Sequence, residues 1–154
     1  MKKELINVFV SHYHEDEENI QKLKDLLGEN YSIRNYSVTS DKYNNAKDED
    51  YIKSLLRPLI SQAGIFICLI GPNTHDSKWV NWEIEQALKQ GKRIVGVYIW
   101  DAKDSDIPPT LEEAADAMVG WHRDSILDAI NGNNIFTNAD GSSRPFVLGT
   151  RVTC

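Results

Sequence analysis

A chain of 154 residues, 41% hydrophobic and 26% charged, has the length and composition of one globular domain. At that length about two thirds of the unfolded surface can be buried. The net charge is −6 and no basic run occurs, which excludes a nucleic-acid backbone as the expected partner.

The elements alternate between short apolar runs and amphipathic segments. Met1-Lys2-Lys3 precedes a first strand, Ile6 to Val10, closed by the polar stretch Ser11-His12-Tyr13-His14. That apolar run is too short for a signal-peptide core, and nothing approaches the ~20 apolar residues of a membrane span. The expected location is therefore the cytoplasm, with no membrane partner. From Asp16 to Leu27 the residues Ile20, Leu23, Leu26 and Leu27 recur at helical spacing, and Gly28 ends the helix. Tyr31 to Val38 reads as a second strand, followed by a polar loop from Thr39 to Lys47. A helix over Asp48 to Gln62 carries Ile52, Leu55, Leu56, Leu59 and Ile60 on one face, with Pro58 inside it as a site of kinking or early termination.

Gly64 to Gly71 is continuously apolar, as in a strand covered on both faces. Its Cys68 reads as packing, and with Cys154 as the other cysteine no disulfide framework is implied. A helix over Lys78 to Gln90 ends at Gly91, and Arg93 to Trp100 is a second buried-type strand. A short helix over Leu111 to Ala117, a last strand over Met118 to Trp121 and a last helix over Asp124 to Ile130 complete the pattern. Five βα repeats with short connections imply a flavodoxin-like, doubly wound, five-stranded parallel sheet in a three-layer α/β/α domain over residues 1–131. Residues 132–154, rich in Asn, Gly and Ser, read as a tail with an edge strand near Phe146 to Leu148.

Ligands of such a sheet bind at the carboxyl ends of the strands, near the reversal of strand order. Several chemistries at that place are rejected. A phosphate-accepting receiver needs an Asp ending the third strand; Asp16 lies near the first strand's end, but Gly71-Pro72-Asn73 follows the third. A flavodoxin phosphate loop needs glycine after strand one, where Ser11-His12-Tyr13-His14-Glu15 has none. Neither GxxxxGK[ST] nor GxGxxG is present. His12, His14 and His75 are better read as loop histidines than as a metal shell, so no metal or cofactor is expected, and His122 reads as structural or solvated.

The segment Asp76 to Leu88 carries the signal. Asp76 or Ser77 can cap its helix, and Val80, Ile84, Ala87 and Leu88 form a stripe facing the sheet. Trp79 and Glu83, four apart, share the flank of that stripe. Glu85 has Lys89 as its i+4 partner, whereas the i+4 neighbour of Glu83 is Ala87. Two readings of Glu83 stand side by side: a functional carboxylate at a cleft edge beside apolar surface, and an acid favoured near a helix N-terminus by the macrodipole. Trp82 falls on the outward side of the helix, which marks it as a candidate assembly surface or as a ring covered by a loop.

Taken with Val8-Phe9-Val10-Ser11 and Asp16, Arg34-Asn35-Tyr36-Ser37-Val38 and Gly91 to Val97, the stretch Ser77-Lys78-Trp79-Val80-Asn81-Trp82-Glu83-Ile84 resembles the TIR domains. More narrowly, it resembles the TIR-like proteins of the bacterial Thoeris anti-phage system, the ThsB group. The resemblance covers roughly residues 5 to 100. It implies that Glu83 is the catalytic residue for breaking the nicotinamide–ribose bond of NAD, which is a substrate and not a cofactor. It also implies an ADP-ribose-derived signal, cyclic or joined to an acceptor, read by a separate effector protein after a phage-derived trigger. Ser11 and His12 are candidates to line the same cleft or to form a structural turn, Tyr36, Ser37 and Asp41 to contact adenosine or ribose, and Trp79 to stack on nicotinamide or to brace the helix by packing. Enzymatic members often need assembly, so a homo-oligomer or filament, with Trp82 as a contact, belongs to the expectation. The alternative is a non-catalytic TIR interaction module.

Overall fold

The computed structural model describes residues 6–13, 18–34, 49–99, 102–103 and 106–137. In chain order the elements are β1 (Ile6–Ser11), α1 (Glu18–Leu27), β2 (Tyr31–Arg34), α2 (Glu49–Gln62) and β3 (Ile65–Ile70). There follow a 3-10 turn (Thr74–Asp76), α3 (Lys78–Lys89), β4 (Arg93–Tyr98), α4 (Pro109–Ala114), β5 (Ala117–Val119) and α5 (Arg123–Ile130). The five strands form one sheet in the order β2-β1-β3-β4-β5, and every pairing is parallel. This is the flavodoxin-like α/β arrangement that the alternation of apolar runs and amphipathic segments implied.

Strand periodicity divides the core into two layers. Val8, Val10, Ile67, Leu69, Val95 and Val97 point to one face, where Ile20, Leu23 and Leu27 of α1 and Ile126, Ala129 and Ile130 of α5 cover them. Phe9, Phe66, Cys68, Ile70, Ile94 and Tyr98 point to the other, under Ile52, Leu56 and Ile60 of α2, Val80, Ile84 and Ala87 of α3, and Leu111 of α4. Phe9 and Phe66 stack with centroids 5.5 Å apart. All six residues of β3 are buried, as expected of a strand covered on both sides.

The helical stripes are narrower than the sequence implied. Leu55 is 39% exposed and Leu88 53% exposed, so neither belongs to the core faces assigned to them. Helix α2 runs through Pro58 to Gln62 without breaking. Pro58 and Ser54, whose carbonyl the missing N–H would have served, are both exposed, where an unserved carbonyl costs least.

Past Asn131 the chain meets the edge of the sheet. Met118 N donates to Ile135 O at 2.8 Å and Thr137 N to Met118 O at 2.7 Å, a parallel bridge that prolongs the sheet edge beyond β5. Phe136 packs on one core layer and Ile135 on the other. Arg93 anchors the approach, its guanidinium donating to Ala129 O, Asn133 O and the Asn134 side chain at 2.8–3.0 Å. The edge strand expected near Phe146 to Leu148 lies outside the described residues.

Candidate active site

Strand order reverses between β1 and β3: from β1 the chain goes to β2 on one side and to β3 on the other. The carboxyl ends of these two strands therefore frame the crevice that a doubly wound sheet offers to ligands. Ser11 is the last residue of β1 and is paired in register with Cys68. It follows Phe9 on the face covered by α2, α3 and α4, so its hydroxyl meets the helix that leaves β3.

The start of that helix is fixed by local polar chemistry. Thr74 Oγ1 accepts from Gly71 N at 2.8 Å and donates to Leu69 O at 3.3 Å, folding the loop back on β3. Ser77 is the N-cap, its side chain accepting from Val80 N at 3.2 Å. Asn81 donates to Ser77 O and His75 O and accepts from Thr110 Oγ1 at 2.6 Å, tying the loop, α3 and α4 together. The sequence reading singled out neither Thr74 nor Thr110. The excess of Thr, Asn and Ser around the helix start is the signal that pointed there.

So positioned, α3 turns Glu83 into the protein. Its residue exposure is 2%, deeper than the cleft-edge flank that the helical wheel suggested. Ser11 Oγ donates to Glu83 Oε1 at 2.6 Å, while Oε2, equally buried, finds no hydrogen-bond partner among the described residues. Burial pushes the Glu83 carboxyl up from its ordinary 4.5 to about 8, against the opposing pull of the Ser11 hydrogen bond. At neutral pH the resting side chain is therefore mostly a neutral acid with an unsatisfied oxygen. A ligand that brings positive charge or a hydroxyl donor to it favours the ionised form.

Two other expected site residues are in the described part. His12 follows Ser11 and is buried, its Nδ1 3.5 Å from Val10 O. Trp79 is half-buried against the core layer of α2 and α3 and meets Trp82 edge-on at 5.9 Å. Tyr36, Ser37 and Asp41 lie outside the described residues, as do His14 and Asp16.

Trp82 does not stand outward as its angular position implied. It packs on the same core layer, with the Lys53 ammonium 5.8 Å and the Arg57 guanidinium 5.5 Å from its ring. Helix α2 lies alongside and covers the side the wheel left open. The Lys78–Glu49 ion pair joins the first turns of the two helices. Trp82 is thus a partly exposed helix–helix contact.

His75 Nε2 lies 3.4 Å from Asp76 Oδ2, and among the described residues no three His, Cys, Asp or Glu side chains gather as a metal site would need. No described helix is long and apolar enough to cross a membrane.

A flavodoxin-like sheet with a buried glutamate on the helix after β3, facing the end of β1, defines a TIR-like domain. The comparisons narrow the class: the chain belongs to the family described as Thoeris protein ThsB, TIR-like domain, whose family model matches residues 9–104. The fold is also similar to that of the CMP N-glycosidase BcmB of Clostridium botulinum, with a TM-score of 0.52 over 81% of this chain and 97% of that one. At 20% identity that likeness is one of fold alone. No curated protein matches the chain in sequence.

Proposed function

We propose that this chain is an NAD-consuming enzyme of the TIR type, in which Glu83 acts on the bond between nicotinamide and ribose. The observation that carries the reading is the Glu83 carboxyl itself: buried at the switch point, held by Ser11 through one oxygen, with the other lacking a partner among the described residues.

The chemistry suits a single glutamate. In NAD the nicotinamide ring is cationic. When the C1′–N bond breaks, its electron pair leaves with the ring, nicotinamide departs neutral, and positive charge moves to the ribose as an oxocarbenium-like transition state. A carboxylate beside C1′ stabilises that charge and accepts hydrogen bonds from the ribose hydroxyls. No strong acid is required for the leaving group. Burial keeps Glu83 neutral until a cation arrives, and the nicotinamide cation favours the ionised form on binding. The acceptor then bonds to C1′ and gives its proton to the Glu83 carboxylate, which returns to the neutral acid. Water yields ADP-ribose, while a hydroxyl or ring nitrogen of ADP-ribose, or of another small molecule, yields a cyclic or conjugated product.

His12 and Trp79 are proposed to line the site, and Tyr36, Ser37 and Asp41 to complete it around the adenosine and ribose. Membership of the Thoeris ThsB family supports a signalling role in anti-phage defence: the product is sensed by a separate effector, in the cytoplasm, after a phage-derived trigger. One observation favours the second reading, a non-catalytic interaction module: at 2% exposure Glu83 has the burial of a structural acid. Mass spectrometry of NAD with the wild type and Glu83→Gln, in vitro and in infected cells, separates the two. A new ADP-ribose species from wild type alone supports the enzyme and its mass identifies the acceptor. Unchanged NAD in both, even in infected cells, leaves the interaction module.

A further inference from the structure

We propose that Ser11 is a positioning residue, acting on the reaction through Glu83 and not by contact with the substrate. The inference rests on the reading of Glu83 as the catalytic carboxylate. It reassigns a side chain that the sequence placed among the substrate-binding candidates.

The geometry behind it is long-range and specific. Ser11 ends β1 on a face otherwise lined by Phe9, Phe66, Ile70 and Ile94, and it is fully buried. A hydroxyl on such a face needs a buried partner, and the partner is Glu83 Oε1 at 2.6 Å, seventy-two residues away in the chain. The hydroxyl is thereby spent on the protein, and Oε2 is the oxygen left for a substrate hydroxyl or the ribose charge.

The bond also fixes the carboxyl's rotation. Glutamate has three side-chain torsions, and the hydrogen bond from β1 restricts them to the rotamers that keep Oε1 on Ser11. Serine is the fitting donor there, since a cation would hold Glu83 permanently ionised and an apolar residue would leave both oxygens unpartnered. The titratable or charged side chains on the elements packed against α3 include His12 beyond β1, Cys68 in β3, Tyr98 in β4, Lys53 and Arg57 in α2, and Glu112 in α4. Among the described residues only burial and Ser11 shift the Glu83 carboxyl, with Ser11 pulling it down.

The test uses the full chain with Ser11→Ala, Ser11→Thr and Glu83→Gln. NAD turnover is measured from pH 5.5 to 9, and the Glu83 carboxyl is titrated directly by carbon NMR in the resting protein. Ser11→Ala is expected to move the Glu83 titration and the rising limb of the rate profile to higher pH together. It is expected to lower kcat by up to about a hundredfold, the scale of an ångström's misplacement, with KM changed little. Ser11→Thr, which keeps the hydroxyl, restores both. A Ser11→Ala protein with the wild-type titration and profile, or one that loses KM alone, overturns the proposal while leaving Glu83 in place. A wild type as inert toward NAD as Glu83→Gln, in infected cells as in vitro, overturns the reading of Glu83 and the positioning role with it.

Discussion

Replacing Glu83 by glutamine should change how the stability of this domain depends on pH, in a direction that burial dictates. The folded carboxyl is raised from 4.5 to about 8. Between those values the unfolded chain has lost its proton and the folded chain has kept it. Stability contributed by the neutral group is thus fully present below pH 4.5 and is lost as pH rises through 8. The slope in that window is about 1.4 kcal/mol per pH unit, and the whole loss approaches about 5 kcal/mol. A side chain 2% exposed receives little screening from solvent, and the loss compares with a total stability of roughly 5–15 kcal/mol for a domain. Glutamine removes the titration, and its amide N–H₂ stands where the neutral acid keeps its O–H, at a position with no partner among the described residues. The two proteins should therefore be close in stability near pH 5, and the glutamine variant should be the more stable by about 4 kcal/mol near pH 8. Urea denaturation of both proteins at half-unit steps from pH 4.5 to 9 reads this directly. A stability difference independent of pH across that range would refute the buried, neutral carboxyl.

Two further substitutions test the frame that holds the site. Gly96→Ala places a Cβ 2.9 Å from Met118 Cγ, 3.1 Å from Leu111 Cδ2 and 3.2 Å from Ile70 Cδ1, so overpacking should cost about 1–3 kcal/mol. Calorimetry should show Tm falling by about 3–10 °C, and an unchanged Tm would contradict the packing between β4, β5 and α4. Ser77→Ala removes the cap of α3 and should cost about 1 kcal/mol in a denaturation midpoint, with Ser77→Asp recovering most of it; equal losses in both would contradict the capping role.

Much of this molecule is legible in its sequence, and the parts that are not share a cause. The apolar run Ile65–Ile70 and the stripe Val80, Ile84, Ala87 are local patterns, and the sheet with its parallel order follows from them. Ser77 was readable as a cap because capping is decided within three residues. The depth of Glu83 was not readable, because it is set by Ser11 on a strand seventy-two positions away. A single helical wheel ranks positions by angle and knows nothing of what lies opposite. The same limit hid the neighbours of Trp82, whose ring meets Lys53 and Arg57 of α2. Composition misled past Asn131, where Asn and Gly mask the short apolar bridge at Ile135 and Phe136.

The central claim is that Glu83 breaks the nicotinamide–ribose bond, and free nicotinamide is its most direct witness. Nicotinamide released from NAD should be measured for the wild type and Glu83→Gln, both folded by circular dichroism, in extracts of phage-infected cells where the trigger is present. The account predicts nicotinamide release by the wild type, matched by an equal amount of an ADP-ribose-containing product, and a loss of at least about a hundredfold in the variant. Equal release by both proteins, or none by either, would contradict it.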